Sequence, residues 1–322
     1  MWRDELKRRM RPARDGAIGA TQRVLGALWA GHHAKQPVRV VMTLLVRDEA
    51  DIVAATIEHA LSIGVDFIVA TDNGSTDETA AILTDYAKTG VLELLHEPQH
   101  TYEQGKWVTA MARRAALVHG ASWVINADAD EFLWPDGLNL KRVLGSCEAS
   151  AGLYPLRELR MSPDPGRAGG WSDRVVAAHK GNTWSSSHFW KVCHRADPGV
   201  RVLQGNHYAF GPRLGGVSRN EPLTALHLPD RSYAQYLHKL ELANTAFSAH
   251  PNAAQSLGLG VRSEYELVRR GEFEAIYRGW GEGISRLLAD GTATIDTRLR
   301  DRLHALLPTA IVSRRLEEAL RR

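Results

Sequence analysis

The chain has 322 residues, 44% of them apolar and 24% charged, with a net charge of only +3. That length supports one large or two modest domains around a substantial core, and no apolar run approaches the roughly 18 residues that span a bilayer. Two cysteines, Cys147 and Cys193, have neither pairing nor metal-ligand spacing, which excludes a disulfide framework and predicts a reducing, cytoplasmic setting.

Charge is unevenly spread. Residues 1–38 carry eight Lys/Arg against Asp4, Glu5 and Asp15, a net +5, which leaves about −2 for the rest. Residues 1–37 therefore read as a basic arm without the apolar core of a signal peptide. It is either a solvated, partly helical leader or a peripheral contact with anionic lipid at the inner face of a membrane. The slightly acidic remainder offers no broad footprint for nucleic acid.

From residue 38 the pattern becomes regular. V-R-V-V-M-T-L-L-V (38–46) predicts a first strand, and the following segment has helical spacing up to Gly64. Residues 67–70 predict a second strand. T-D-N-G-S-T-D-E-T (71–79) is a polar loop leading into a helix that stops at Gly90. Residues 91–95 predict a third strand, 104–119 a helix with Met111, Ala112 and Ala115 on one face, and 122–127 a fourth strand. Strands alternating with helices predict an α/β fold with a mostly parallel sheet flanked by helices. Residues 152–230, rich in Gly, Pro and aromatics, predict antiparallel strands and long loops. Helices are predicted near 232–250, 262–278, 281–290 and 296–319. The resulting division is 1–37, an arm; 38–150, a ligand-binding α/β half; 151–231, a mixed second half; and 232–322, a helical C-terminal region.

The most informative stretch is V-I-N-A-D-A-D-E-F-L-W-P, Val124 to Pro135. It crowds Asp128, Asp130 and Glu131 at the end of an apolar strand, where carboxylates are costly unless neutralised. A hard divalent cation, Mg²⁺ or Mn²⁺, binds one or two carboxylates and completes its shell with phosphate oxygens and water. A D-x-D alone is weak evidence, since solvated loops produce it too. Polar strand ends at Arg47-Asp48-Glu49 and Asp72–Asp77 join it on the edge where parallel sheets bind ligands.

V-x-R-D-E-A-D-I-V, T-D-N-G-S-T-D-E-T and W-V-I-N-A-D-A-D-E-F-L, in that order, resemble a family 2-type glycosyltransferase of the GT-A fold, in its "DADEF" variety. A later G-N-H and L-H-L-P-x-R-S-Y fit the same likeness, which covers roughly residues 38–245. The resemblance implies a GT-A-like sheet and a nucleoside diphosphate sugar donor, most often a UDP-sugar. It also implies a divalent metal, Mn²⁺ or Mg²⁺, and a glycan or lipid-linked acceptor, usually with inversion. By position, Asp72 would face the base and Arg47 line its pocket. Asp128 would touch ribose or metal, and Asp130 would be the main metal ligand. Lys106 would meet base or phosphate. His227 would be a third metal ligand, and Arg231 and Lys239 would neutralise the leaving diphosphate.

Plainer roles stand beside these. Asp72 and Asp77 suit a tight turn, with Asp77 read as a helix cap, and Lys106 suits a solvated helix start. Glu131 reads as either a loop-holding acceptor or a direct participant. The family's glycine-preceded acidic pair has no copy in the second half. Glu158, Asp164, Asp173, Glu221 and His207 are therefore the remaining base candidates. Trp171, Trp184, Trp190, Tyr208 and Phe210 read either as a sugar platform or as core. Two alternatives use the same residues: a non-catalytic carbohydrate-binding protein of this fold, and a nucleotidyltransferase. The second is disfavoured because R-D-E-A-D lacks a Gly-rich, basic first loop. No G-K-[ST] loop supports an ATPase.

Overall fold

The computed structural model describes residues 38–99, 103–162, 170–178, 190–215, 217–219, 222–249 and 259–322. The basic arm, Asp164, Trp184 and Glu221 lie outside them.

Strand β1 (Val40–Val46) is apolar on both faces and sits in the middle of the sheet, as expected for a parallel strand covered from both sides. Chain order continues with α1 (Val53–Ser62), β2 (Phe67–Asp72), α2 (Thr79–Lys88), β3 (Leu92–His96), α3 (Gln104–Leu117) and β4 (Trp123–Asp128). Strands β3, β2, β1 and β4 pair in parallel in that order. Met111, Ala112 and Ala115 of α3 are buried against this sheet.

After β5 (Glu131–Pro135) and α4 (Leu140–Gly145) come β6 (Ala151–Glu158), β7 (Arg160–Met161), β8 (Val175–Ala178) and β9 (Trp190–Arg195). Then follow β10 (Arg201–Val202), β11 (Ala209–Phe210), β12 (Val217–Arg219) and β13 (Leu223–His227). Strand β9 runs antiparallel between β4 and β6, so the sheet continues across residue 150 to end β6-β13-β5. The second half is not purely antiparallel: β13 and β12 both pair with β6 in parallel. The result is a mixed α/β fold with a large, mostly parallel sheet flanked by helices.

The C-terminal region holds α5 (Tyr233–Ala249), α6 (Leu259–Arg269), α7 (Phe273–Ala289), β14 (Ala293–Ile295), α8 (Arg298–Leu306) and α9 (Ser313–Arg321). The break expected near residue 279 lies at Gly271, whose φ of +70° a side chain would resist. The single helix predicted over 296–319 is two, parted by a turn containing Pro308. Buried Glu58 of α1 fastens this tail by accepting from Ile311 and Val312 backbone N–H groups at 3.0 and 2.8 Å. Among the described residues no helix is long and apolar enough to cross a membrane.

Candidate active site

Register decides what shares an edge. Pairing of β1 with β2 and β4 sets Val46 beside Asp72 and Leu45 beside Asp128. The chain then turns through Ala129 and Asp130 into β5, where Glu131 pairs with His227, and His227 pairs on its other side with Glu158. Asp128, Asp130, Glu131, His227 and Glu158 are thus gathered by strand pairing alone.

The charge crowding is relieved by the protein's own lysines. Lys191 of β9 is 4% exposed and places Nζ 2.6 Å from Asp128 Oδ2 and 2.8 Å from Glu131 Oε1. Lys239 of α5 donates to Asp130 Oδ2 at 2.9 Å and pairs with Glu49 Oε1 at 2.6 Å. Burial opposes the charge on both lysines, but the flanking carboxylates outweigh it and hold each above the ordinary lysine value. Burial likewise opposes the charge on Asp130, and Lys239, His227 and Arg231 outweigh it, so its carboxyl titrates well below the usual range.

Asp128 Oδ1 accepts from Gln104 Nε2 and Asn206 Nδ2, each at 3.1 Å. These two donors come from opposite sides of a clasp: Gly205 N–H donates to Gln104 Oε1 at 3.0 Å, and Gly105 N–H to Gln204 Oε1 at 2.8 Å. Thus G-N-H serves to seat Asn206 on Asp128. Its His207 faces Trp190 O through Nδ1 at 2.8 Å and is lowered by burial.

The donor chemistry fits a divalent cation. His227 Nε2 lies 3.7 Å from Asp130 Oδ1, and burial lowers the imidazole, keeping its lone pair available for a metal. Five carboxylates (Glu49, Asp51, Asp128, Asp130, Glu131) face three cations (Lys191, Lys239, Arg231), and burial among like charges raises Glu131 and Glu49 above the usual carboxylate range. Among the described residues no three His, Cys, Asp or Glu form a ready-made metal cage. A cation here would depend on substrate oxygens to complete its shell.

Beside this cluster a cavity of about 260 Å³ opens at the ends of β1 and β2, lined by Arg47, Asn73, Gln104, Trp107 and Lys239 and roofed by α5 residues such as Leu242. Arg47 Nε and Trp107 Nε1 are buried without a hydrogen-bond partner, Arg47 Nε lying 4.0 Å from Asp48 Oδ2. Gln104 and Lys239 join the cavity to Asp128 and Asp130 respectively.

Several expected residues are elsewhere engaged. Arg231 is not free to meet a diphosphate: it is 2% exposed and donates to both Asp51 oxygens, Glu49 and Leu228 O. Asp72 accepts from Ser75 N–H at 3.3 Å and does not line the cavity; its neighbour Asn73 does. Asp77 accepts from Thr79 and Ala50 N–H groups, as a turn-former would. Lys106 pairs with Glu103 at 3.4 Å, largely exposed, facing a separate groove along α3 and residues 201–204. Asp173 faces Arg300 near the C-terminal tail. Trp171 is core, its Nε1 donating to Ala319 O and Asp51 O.

Lys191, Gln104 and Asn206 escaped the sequence reading as site residues. Lys191 had a signal, a charge inside the apolar strand run F-W-K-V-C. Glu49 and Asp51 sit in R-D-E-A-D, whose acidity is explained by Arg231 and Lys239 arriving from far along the chain.

A family model described as "Glycosyltransferase family 92" matches residues 37–150, so that part of the chain is similar to a glycosyltransferase family. No curated protein matches the sequence. Among solved structures, S. aureus TarS 1-349 in complex with UDP-GlcNAc is similar at 10% identity and a TM-score of 0.40, covering 66% of this chain and 66% of that one. Glucosyl-3-phosphoglycerate synthase from Mycobacterium tuberculosis, in complex with Mn²⁺, UDP and glucosyl-3-phosphoglycerate, has 19% identity and a TM-score of 0.27. That match covers 42% of this chain and 47% of that one, so the chain spans about half its length. Overall similarity at this level carries no functional weight.

Proposed function

We propose that the protein is a metal-dependent glycosyltransferase that moves a sugar from a nucleoside diphosphate donor to a glycan or lipid-linked acceptor, with inversion. One observation carries the reading. A cavity lined by Arg47, Asn73 and Trp107 adjoins the two aspartates of a D-x-D through Gln104 and Lys239. Uridine as the base follows from the family resemblance.

Arg47, Asn73 and Trp107 bind the nucleoside, and Asp130 with His227 holds the cation, Asp128 standing beside them on the ribose or metal side. When bound, Mn²⁺ or Mg²⁺ supplies charge neutralisation to the leaving diphosphate. Lys239 adds positive charge at the same edge, while Lys191 keeps Asp128 and Glu131 from repelling each other.

Of the base candidates, Glu158 is the one that strand pairing sets beside His227, with Arg160 Nη2 orienting it at 2.5 Å. The acceptor oxygen attacks the anomeric carbon and its proton passes to Glu158. The bond between that carbon and the phosphate oxygen breaks, and its electron pair leaves with the diphosphate.

Calorimetric titration of UDP and GDP, with and without Mn²⁺, tests the donor half. UDP should bind the wild type only with metal, and Asp130→Asn should weaken it at least tenfold. If no nucleoside diphosphate binds with any metal, the reading fails. If UDP binds, slow hydrolysis of a UDP-sugar by water separates a transferase from a mere binder.

A further inference from the structure

A cavity of about 530 Å³ lies between the ends of β6 and β13 and the helices α5 to α7. Its size is within the range of about 300–1,000 Å³ usual for small-molecule sites. His227 and Glu158 form its wall on the sheet side, so it shares those two residues with the catalytic edge. The helix side supplies Tyr236, Glu264 and Trp280.

Trp280 is 37% exposed, unusual for so large a ring in a packed helical layer. Its setting is rigid: Tyr236, Phe273 and Tyr277 each lie 5.8 Å from it, ring centre to ring centre. Tyr236 Oη donates to Glu264 Oε2 at 2.9 Å, and Tyr277 Oη to Asp230 Oδ1 at 2.6 Å, which fixes two carboxylates beside the rings. A fixed aromatic surface flanked by acceptors suits a pyranose, whose C–H face is apolar and whose rim is hydroxyl donors. Glu158, Asp230 and Glu264 outnumber Arg160, which is itself paired with Glu158, so the cavity disfavours phosphate or uronate groups.

We infer that this cavity is the acceptor subsite and that it takes a neutral saccharide stacked on Trp280. The inference rests on the glycosyltransferase reading above, and its test separates the two. Saturation-transfer NMR on the full chain with UDP and Mn²⁺ would use methyl glucoside, galactoside and mannoside, with methyl glucuronide as the anionic control. At least one neutral glycoside should show saturation well above the glucuronide. Trp280→Ala should abolish it, Trp280→Phe should keep a part, and Glu264→Gln should weaken it. UDP binding, measured in parallel, should stay at the wild-type level in all three and so report an intact fold. Undiminished saturation in folded Trp280→Ala, or no neutral glycoside responding while UDP binds, would overturn the inference. Trp280-dependent saturation without any UDP binding would sink the transfer reading and leave a saccharide-binding cavity.

Discussion

Lys191 Nζ stands 2.6 Å from Asp128 Oδ2, the shorter arm of a bridge whose other arm reaches Glu131 at 2.8 Å. All three side chains are at or near the end of one sheet, and Lys191 and Glu131 are almost wholly buried. Removing the cation leaves buried Glu131 with only a long contact from Asp128 N–H, while Asp128 keeps its bonds from Gln104 and Asn206. Lys191→Met should therefore cost about 3–5 kcal/mol, read as a lower urea midpoint at unchanged slope. The double variant Lys191→Met/Glu131→Gln should recover part of that loss. Equal midpoints for wild type and Lys191→Met would show that the bridge does not hold the strand ends together.

The bridge also marks the limit of what the sequence disclosed. Strands β1 to β4 and the helices between them were legible because hydrophobic period and turn residues are local, and Asp128 and Asp130 stood out by spacing alone. Lys191 follows Asp128 by sixty-odd positions, and only the antiparallel placement of β9 beside β4 brings them together. Arg231 depends on partners far along the chain for the same reason. From sequence it is a cation for the leaving diphosphate; in the fold its donors are already used by Glu49 and Asp51, in the loop that follows β1. Trp280 had no local signal at all, since one tryptophan on an amphipathic helix is usually core.

Arg231 is accordingly expected to act on stability and not on ligand affinity. Arg231→Lys keeps the charge but loses the planar fork that serves Asp51 with two N–H groups, and should cost about 1–3 kcal/mol. Calorimetry on the folded variant should give UDP–Mn²⁺ affinity within a few-fold of wild type. A large loss of affinity at full stability would instead return Arg231 to the diphosphate.

Gly205 tests the clasp around Asp128. Its φ is +77°, and a Cβ there would meet the His207 ring at 2.6 Å. Gly205→Ala should cost about 1–3 kcal/mol through backbone strain and collision. It should also weaken UDP–Mn²⁺ binding severalfold, because the adjoining Asn206 can no longer seat on Asp128. Thermal melts and titration of the same sample check both effects. Unchanged binding in a destabilised protein would mean that Asp128 keeps its position without Asn206.

Acid sensitivity should come from two histidines remote from the catalytic edge. His59 and His194 are fully buried, and burial pushes each down to about 4 from an ordinary 6.5. His59 Nε2 is satisfied by Leu133 O at 2.6 Å and His194 Nδ1 by Arg195 O at 2.9 Å, while the second nitrogen of each ring is buried without a partner. A second proton would therefore have no acceptor. Between pH 6.5 and 4 the unfolded chain takes up these protons and the folded one does not. The share of stability these two rings contribute is thus complete above about 6.5 and falls as pH drops towards 4, by up to about 3 kcal/mol for each ring, while buried Glu131, raised to about 8, acts in the opposite sense over that range. Unfolding free energy by guanidinium titration at pH 7.5, 6.0 and 5.0, compared between the wild type and His59→Gln, should isolate the histidine share. His207 and His227 are lowered too and act in the same direction, so a single replacement removes only part of the slope. His59→Gln should flatten the dependence by about one proton's share whatever its effect on absolute stability, and an unaltered slope would show that His59 is already protonated in the native fold.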